Sequence, residues 1–247
     1  MYLTVKGLVM RVTNYNDHDA LLTVLTQGNG KITVKARGLR RKNSPLIAPC
    51  QLLAYSEFVL FENKGYYTIN EARTVALFHA LRNDLQKLYL GSYFSQVADV
   101  LSQEDYPNPE LLSLILNALH ILSSTDTKEL LVKAVFEFRA ACLAGFLPDL
   151  SGCGNCGNGQ PDRFDVSTGM LECSACRNPE SDGIRMPVTP GVLDALRYIA
   201  GIDPKRLFSF SVGDETLLQL SRVTELYLTT QLERGFSALD FYKSLLI

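Results

Sequence analysis

The chain has 247 residues, 47% of them hydrophobic, and carries 24 Lys and Arg against 26 Asp and Glu for a formal net charge of −2. That is enough for one or two domains with a proper core. No segment approaches the ~18–20 uncharged apolar residues that span a bilayer. The N-terminus has no cationic region followed by an apolar run, and six cysteines are few for a secreted disulfide scaffold of this size.

Residues 1–75 read as β-structure. Runs at 3–12, 20–26 and 31–37 are β-branched or alternating, and turns at 14–19 and 27–30 separate them. Gly28-Asn29-Gly30 is a hairpin signal, since both residue types tolerate positive φ. Two further strands are expected at 51–61 and 66–72, joined by a turn at 62–65. Five short strands with a long loop after the third fit a small closed barrel, and an OB-type barrel, an architecture that often binds oligonucleotides, is the most economical choice. Tyr55, Phe58, Phe61, Tyr66 and Tyr67 lie on the last two strands. Core filling is expected for most of them, with outward base stacking open to alternate ones. Asp17, His18 and Asp19 read as a solvated turn, not an acid–base cluster. Gly28-Asn-Gly-Lys31 is not a phosphate loop, because Leu25 stands where the first glycine belongs and Ile32 follows the lysine.

Residues 31–42 concentrate six cations (Lys31, Lys35, Arg37, Arg40, Arg41 and Lys42) with no carboxylate among them. On a strand, Ile32, Val34 and Ala36 would face one side and Lys31, Lys35 and Arg37 the other. Gly38 ends the strand and Arg40-Arg41-Lys42 fall on the following loop. Such a strip can neutralise phosphates along a nucleic-acid backbone. Charge alone leaves a second reading open, a solvated strand face that keeps the edge soluble.

From about residue 76 the apolar period becomes helical. Leu77, Leu81, Leu85, Leu88 and Tyr89 recur at threes and fours, followed by Phe94, Val97, Ala98 and Leu101. After the break at 106–109, helices are expected over 110–122 and 128–143, the second stopped by Gly145 and Pro148. Ser123 to Asp126 form a loop able to cap the second of these. Leu130, Val135, Phe136 and Phe138 on it are most simply core. Helical patterning resumes at 190–199, 214–232 and 239–245. The expected class is α+β, with domains at 1–75 and 76–247.

Inside the helical part, Cys153-Gly-Asn-Cys156 and Cys173-Ser-Ala-Cys176 are separated by sixteen residues. Two pairs at this spacing close a tetrahedron around one ion from two tight turns, which points to a zinc module over residues 151–177. Four sulfur ligands leave no open position for water, so the zinc reads as structural. A zinc deaminase would need a His-x-Glu element, which none of His18, His79 and His120 begins. Cys50 and Cys142 lie outside the pattern and read as buried small residues.

Several of these stretches together resemble the bacterial RecO family of recombination mediators over nearly the full length. They are Gly7-Leu-Val-Met-Arg-Val-Thr-Asn-Tyr15, Leu25-Thr-Gln-Gly-Asn-Gly-Lys-Ile-Thr33, Ala36-Arg-Gly-Leu-Arg-Arg-Lys-Asn-Ser44, Phe136-Glu-Phe-Arg-Ala-Ala-Cys-Leu-Ala-Gly-Phe-Leu-Pro148 and the two cysteine pairs with Phe164 and Gly169 between them. The sequence departs from that pattern at Asp17-His18 and at Met170. The resemblance implies an N-terminal OB-fold and a helical domain carrying zinc. It implies binding of single- and double-stranded DNA, annealing of complementary strands, and loading of RecA onto strands coated by single-strand-binding protein. RecR and the C-terminal tail of single-strand-binding protein are the implied partners. The expectation is a cytoplasmic, nucleoid-associated protein without bond chemistry or a membrane partner, in which reversing Lys35 and Arg37 to Glu cuts DNA affinity. A zinc-stabilised protein-interaction scaffold without DNA contact is the alternative.

Overall fold

The computed structural model describes residues 1–176 and 183–246, so Arg177, the expected last residue of the zinc module, lies outside the described residues. By internal contacts the chain forms two compact units, Met1–Thr125 with Phe236–Ile247, and Asp126–Gly235.

The first unit holds a closed barrel of Tyr2–Asn14 (β1), Ala20–Thr26 (β2), Lys31–Ala36 (β3), Tyr55–Asn63 (β4) and Tyr66–Ala76 (β5). Their order is β1-β2-β3-β5-β4, with β4 returning to pair with β1 and β3 running parallel to β5. This is the five-stranded OB-like barrel that the strand and turn pattern predicts. β1 serves both neighbours, pairing with β4 through Leu8 and with β2 from Gly7, and a register shift between Val9 and Arg11 lets it turn the barrel's corner. Alternate residues point inward: Val5, Val9, Leu22, Val24, Ile32, Val34, Phe58 and Leu60 form the core, and Leu39 plugs it from the loop after β3.

β4 begins at Tyr55 and not at residue 51. Leu53 adopts φ 63, and it exchanges hydrogen bonds with β1 through its own N–H and the Ala54 carbonyl. That exchange makes 51–54 a turn, although its apolar composition suits a strand. Of the five strand aromatics, Phe58 fills the core and Tyr67 packs against it, whereas Phe61 and Tyr66 are 42% and 79% exposed.

The same unit contains His79–Arg82 (α1), Leu85–Leu101 (α2), Pro109–Ser124 (α3) and Ser237–Ser244 (α7). Asp84 splits what the leucine period suggests is continuous, because its carboxylate caps the Gln86 and Lys87 N–H groups and starts α2 afresh. The change from strand to helix falls at Ala76, next to the expected domain boundary. The compact unit extends beyond it, since α2 packs on the barrel. Ser95 donates to the Met10 carbonyl at 2.6 Å, and a Cβ on Gly91 would sit 2.9 Å from Leu53 Cδ1.

In the second unit, Glu129–Leu143 (α4), Pro190–Gly201 (α5) and Asp214–Gln231 (α6) form the helical core. No side chain caps α4, whose N-cap is Lys128 and not a residue of the 123–126 loop. The stop at its other end is as expected: Gly145 takes φ 94 and the Phe146 N–H reaches back to Ala141 O. α4 is buried on nearly every face, so Lys133 and Glu137 lie inside with Val135, Phe136 and Phe138. A small sheet of Asp149–Cys153 (β6), Arg163–Asp165 (β7), Met170–Glu172 (β8) and Arg185–Pro187 (β9), in the order β6-β8-β7-β9, carries the cysteines. These strands are too short to leave an alternation in the sequence.

Candidate nucleic-acid interface and metal centre

The basic strip sits where the alternation predicts. Ile32, Val34 and Ala36 are buried in the barrel, and Lys31, Lys35 and Arg37 face outward. The six cations nevertheless divide. Lys31 Nζ lies 3.1 Å from Asp99 Oδ1 and also donates to the Asp99 carbonyl at 2.7 Å, tying β3 to the end of α2. Lys35 Nζ is 3.2 Å from Asp19 Oδ2 and 4.6 Å above the Tyr15 ring. Arg37, Arg40, Arg41 and Lys42 are exposed on the strand end and the loop. Gly38 makes that exit possible with φ 67, a left-handed conformation that a side chain resists.

Beside the strip lies a groove of about 630 Å³, lined by Tyr15, Lys35, Arg37, Lys64, Tyr66 and Tyr67 among others, and also by the acidic Glu104 and Asp105. Tyr66 is 79% exposed, so its ring is open to stacking, whereas Tyr15, 58% exposed, has Lys35 over one face. Sequence reasoning did not single out Tyr15 or Asp99, and it read Asp19, the partner of Lys35, as part of a solvated turn. The turn reading of Asp17 and His18 holds, as both are exposed, but Asp19 is drawn into the strip. The signal was present as Asn16-x-x-Asp19: the Asn16 side chain accepts from the His18 and Asp19 N–H groups, a turn that local sequence can specify.

The four pattern cysteines converge, with ligand atoms all within 4.8 Å of one another and Cys156 Sγ 3.7 Å from Cys173 Sγ. A tetrahedral ion bound by four thiolates sets its sulfurs about 3.8 Å apart, so the arrangement is able to hold a metal ion. Each pair is folded by its own backbone. Gly157 N–H donates to Cys153 O at 2.8 Å, and Cys176 N–H donates to Cys173 O at 2.9 Å. The Asn155 and Cys156 N–H groups hold the Cys153 thiol down to about 6, while hydrogen bonds with the Cys156 and Cys173 sulfurs push that of Cys176 up. Cys50 and Cys142 stand apart, the first buried as expected and the second half-buried, and burial pushes their thiols up to about 12 and about 11, which disfavours the thiolate.

Among the described residues no helix is long and apolar enough to cross a membrane. The family model "Recombination protein O N terminal" matches residues 1–78, and "Recombination protein O C terminal" matches 82–240. A DNA repair protein RecO of Acetivibrio thermocellus is 36% identical over 247 residues, spanning 99% of this chain and 97% of that protein. That of Heliobacterium modesticaldum is 33% identical over 226 residues, 88% of this chain and 81% of that protein. That of Alkaliphilus metalliredigens is 27% identical over 248 residues, covering 99% and 100%. With both halves matched and only three residues between the two models, the chain belongs to the RecO family of DNA repair and recombination proteins.

Proposed function

We propose that this chain is a non-enzymatic recombination mediator that binds DNA across the outer face of β3 and the loop that follows it. The observation that carries this is the grouping of Arg37, Arg40, Arg41 and Lys42, all exposed, beside a groove that holds the exposed ring of Tyr66. Cations of this kind neutralise phosphates of single or double strands, while stacking platforms accept only unpaired bases. A surface that holds both forms suits the annealing of complementary strands and the loading of RecA onto strands coated by single-strand-binding protein. RecR and the tail of single-strand-binding protein are the partners such a role needs. The four cysteines hold a structural Zn²⁺, which fastens the second unit and takes no part in chemistry. The protein acts in the cytoplasm, at the nucleoid.

The internal pairing of Lys31 and Lys35 refines where the charge tests belong. A glutamate at position 35 would face Asp19 and break a structural pair, so Arg37, Arg41 and Lys42 are the cleaner positions. Four exposed cations predict a slope of about −3 in log affinity against log salt for a single-stranded oligonucleotide. The triple variant R37E/R41E/K42E should flatten that slope and weaken binding by roughly a hundredfold at moderate salt. Unchanged anisotropy titrations at physiological salt would overturn the assignment. The neutralised lysines also favour a second reading, a protein-interaction scaffold. It predicts no gel shift on oligonucleotides, together with partner capture that survives nuclease.

A further inference from the structure

We propose that Asp19 is the positioning residue of the basic strip: it fastens the loop carrying Arg37, Arg40, Arg41 and Lys42 to the turn between β1 and β2, and it withholds Lys35 from phosphate. The inference rests on the DNA-binding reading above and concerns how that surface is presented. Exposed cations on a loop normally lose conformational freedom when they bind, and that entropy subtracts from affinity. A loop already held in place avoids much of that loss.

The contacts that hold it are specific. Asp19 Oδ1 accepts from the Gly38 N–H at 2.9 Å, at the residue where the chain leaves β3. Asp19 Oδ2 accepts from Asn16 Nδ2 at 3.1 Å and pairs with Lys35 Nζ at 3.2 Å. The same turn grips the loop twice more, through Arg40 N–H to His18 O at 3.0 Å and Arg40 Nη1 to Asn16 O at 2.9 Å. Leu39, between the two gripped residues, is buried in the barrel core. Asp19 is the one member of this set that both bonds the loop's backbone and carries a charge against the strip. Its two roles have opposite signs for DNA, since anchoring favours binding and neutralising Lys35 opposes it.

Two substitutions in the full-length chain separate these roles. D19A removes both, whereas D19N keeps a side-chain oxygen for the Gly38 N–H and removes the charge. For D19A the Gly38 amide should exchange faster by roughly tenfold or more, and oligonucleotide affinity should fall by about tenfold. For D19N the amide should stay protected, and the salt slope should steepen by about 0.7 as Lys35 joins the phosphate contacts. If D19A fails to fold, the slope of D19N decides, and a slope equal to that of the natural chain overturns the proposal. D19A whose Gly38 amide exchanges no faster than in the natural chain, while R37E/R41E/K42E binds poorly, overturns the Asp19 assignment alone. Unchanged binding in both variants overturns the DNA reading on which it rests.

Discussion

At Asp19 a backbone N–H, an amide and an ammonium converge on one carboxylate. The Gly38 N–H is the largest influence holding that carboxyl down to about 2; partial burial opposes it, and Asn16 and Lys35 reinforce it. A carboxyl depressed in the folded state contributes stability that is complete above its ordinary value and fades as pH falls through the folded one. The anchoring of the basic loop should therefore be constant from neutral pH down to about 4, then weaken as pH approaches 2. The Gly38 amide resonance reports this; a shift already complete at pH 5 would contradict it. At the cysteines, C156S or C173S should abolish the proposed stoichiometric zinc binding, read by metal analysis of the purified chain, because each sulfur would supply one corner of a tetrahedral site. C50S should leave metal content unchanged, since Cys50 lies in the barrel core. The cysteine spacing was legible because two-residue turns are local. The Asp19–Lys35 pair was not, because it joins residues sixteen positions apart through the pairing of β2 with β3.

Among the helices, α4 and α6 are joined through a buried charge cluster that no sequence pattern marked. Lys133 Nζ lies 2.9 Å from Glu137 Oε1 and 2.8 Å from Glu225 Oε2, and it donates to Ser221 Oγ at 3.2 Å. Thr224 Oγ1 donates to Glu137 Oε2 at 2.9 Å. Burial works against the Lys133 charge, but the two carboxylates outweigh it and hold its pKa up. For Glu137 burial dominates and pushes the carboxyl up despite Lys133. K133M strands a fully buried carboxylate and should cost about 3–5 kcal/mol in guanidinium unfolding, whereas K133M/E137L should recover most of that loss. Equal stability of the natural chain and K133M would show the cluster to be energetically idle. In the sequence, Lys133 and Glu137 look like an exposed i,i+4 pair, since a helix carries no sign of which of its faces are covered. The helix itself and its glycine stop were legible, but of the four residues expected in its core Leu130 is only half-buried.

Across the whole molecule the four-cysteine cluster belongs to one compact unit and the basic strip to the other. Chelation should therefore raise amide exchange around β6–β9 and lower the melting temperature of the unit Asp126–Gly235, while the barrel amides keep their protection. Chelated protein that melts at the same temperature with full helicity would rule out a structural metal. The sequence by itself determined the five-stranded barrel, the helical remainder and the four-sulfur cluster. Alternation, turn glycines and Cys-x2-Cys spacing are short-range properties that each segment carries within itself. Only the tertiary structure decided three further matters: which two of the six cations are spent on internal pairs, which strand aromatics stay outside the core, and which charges lie buried between helices. Each depends on what the fold brings from a distant part of the chain against a given side chain, and no local pattern encodes that.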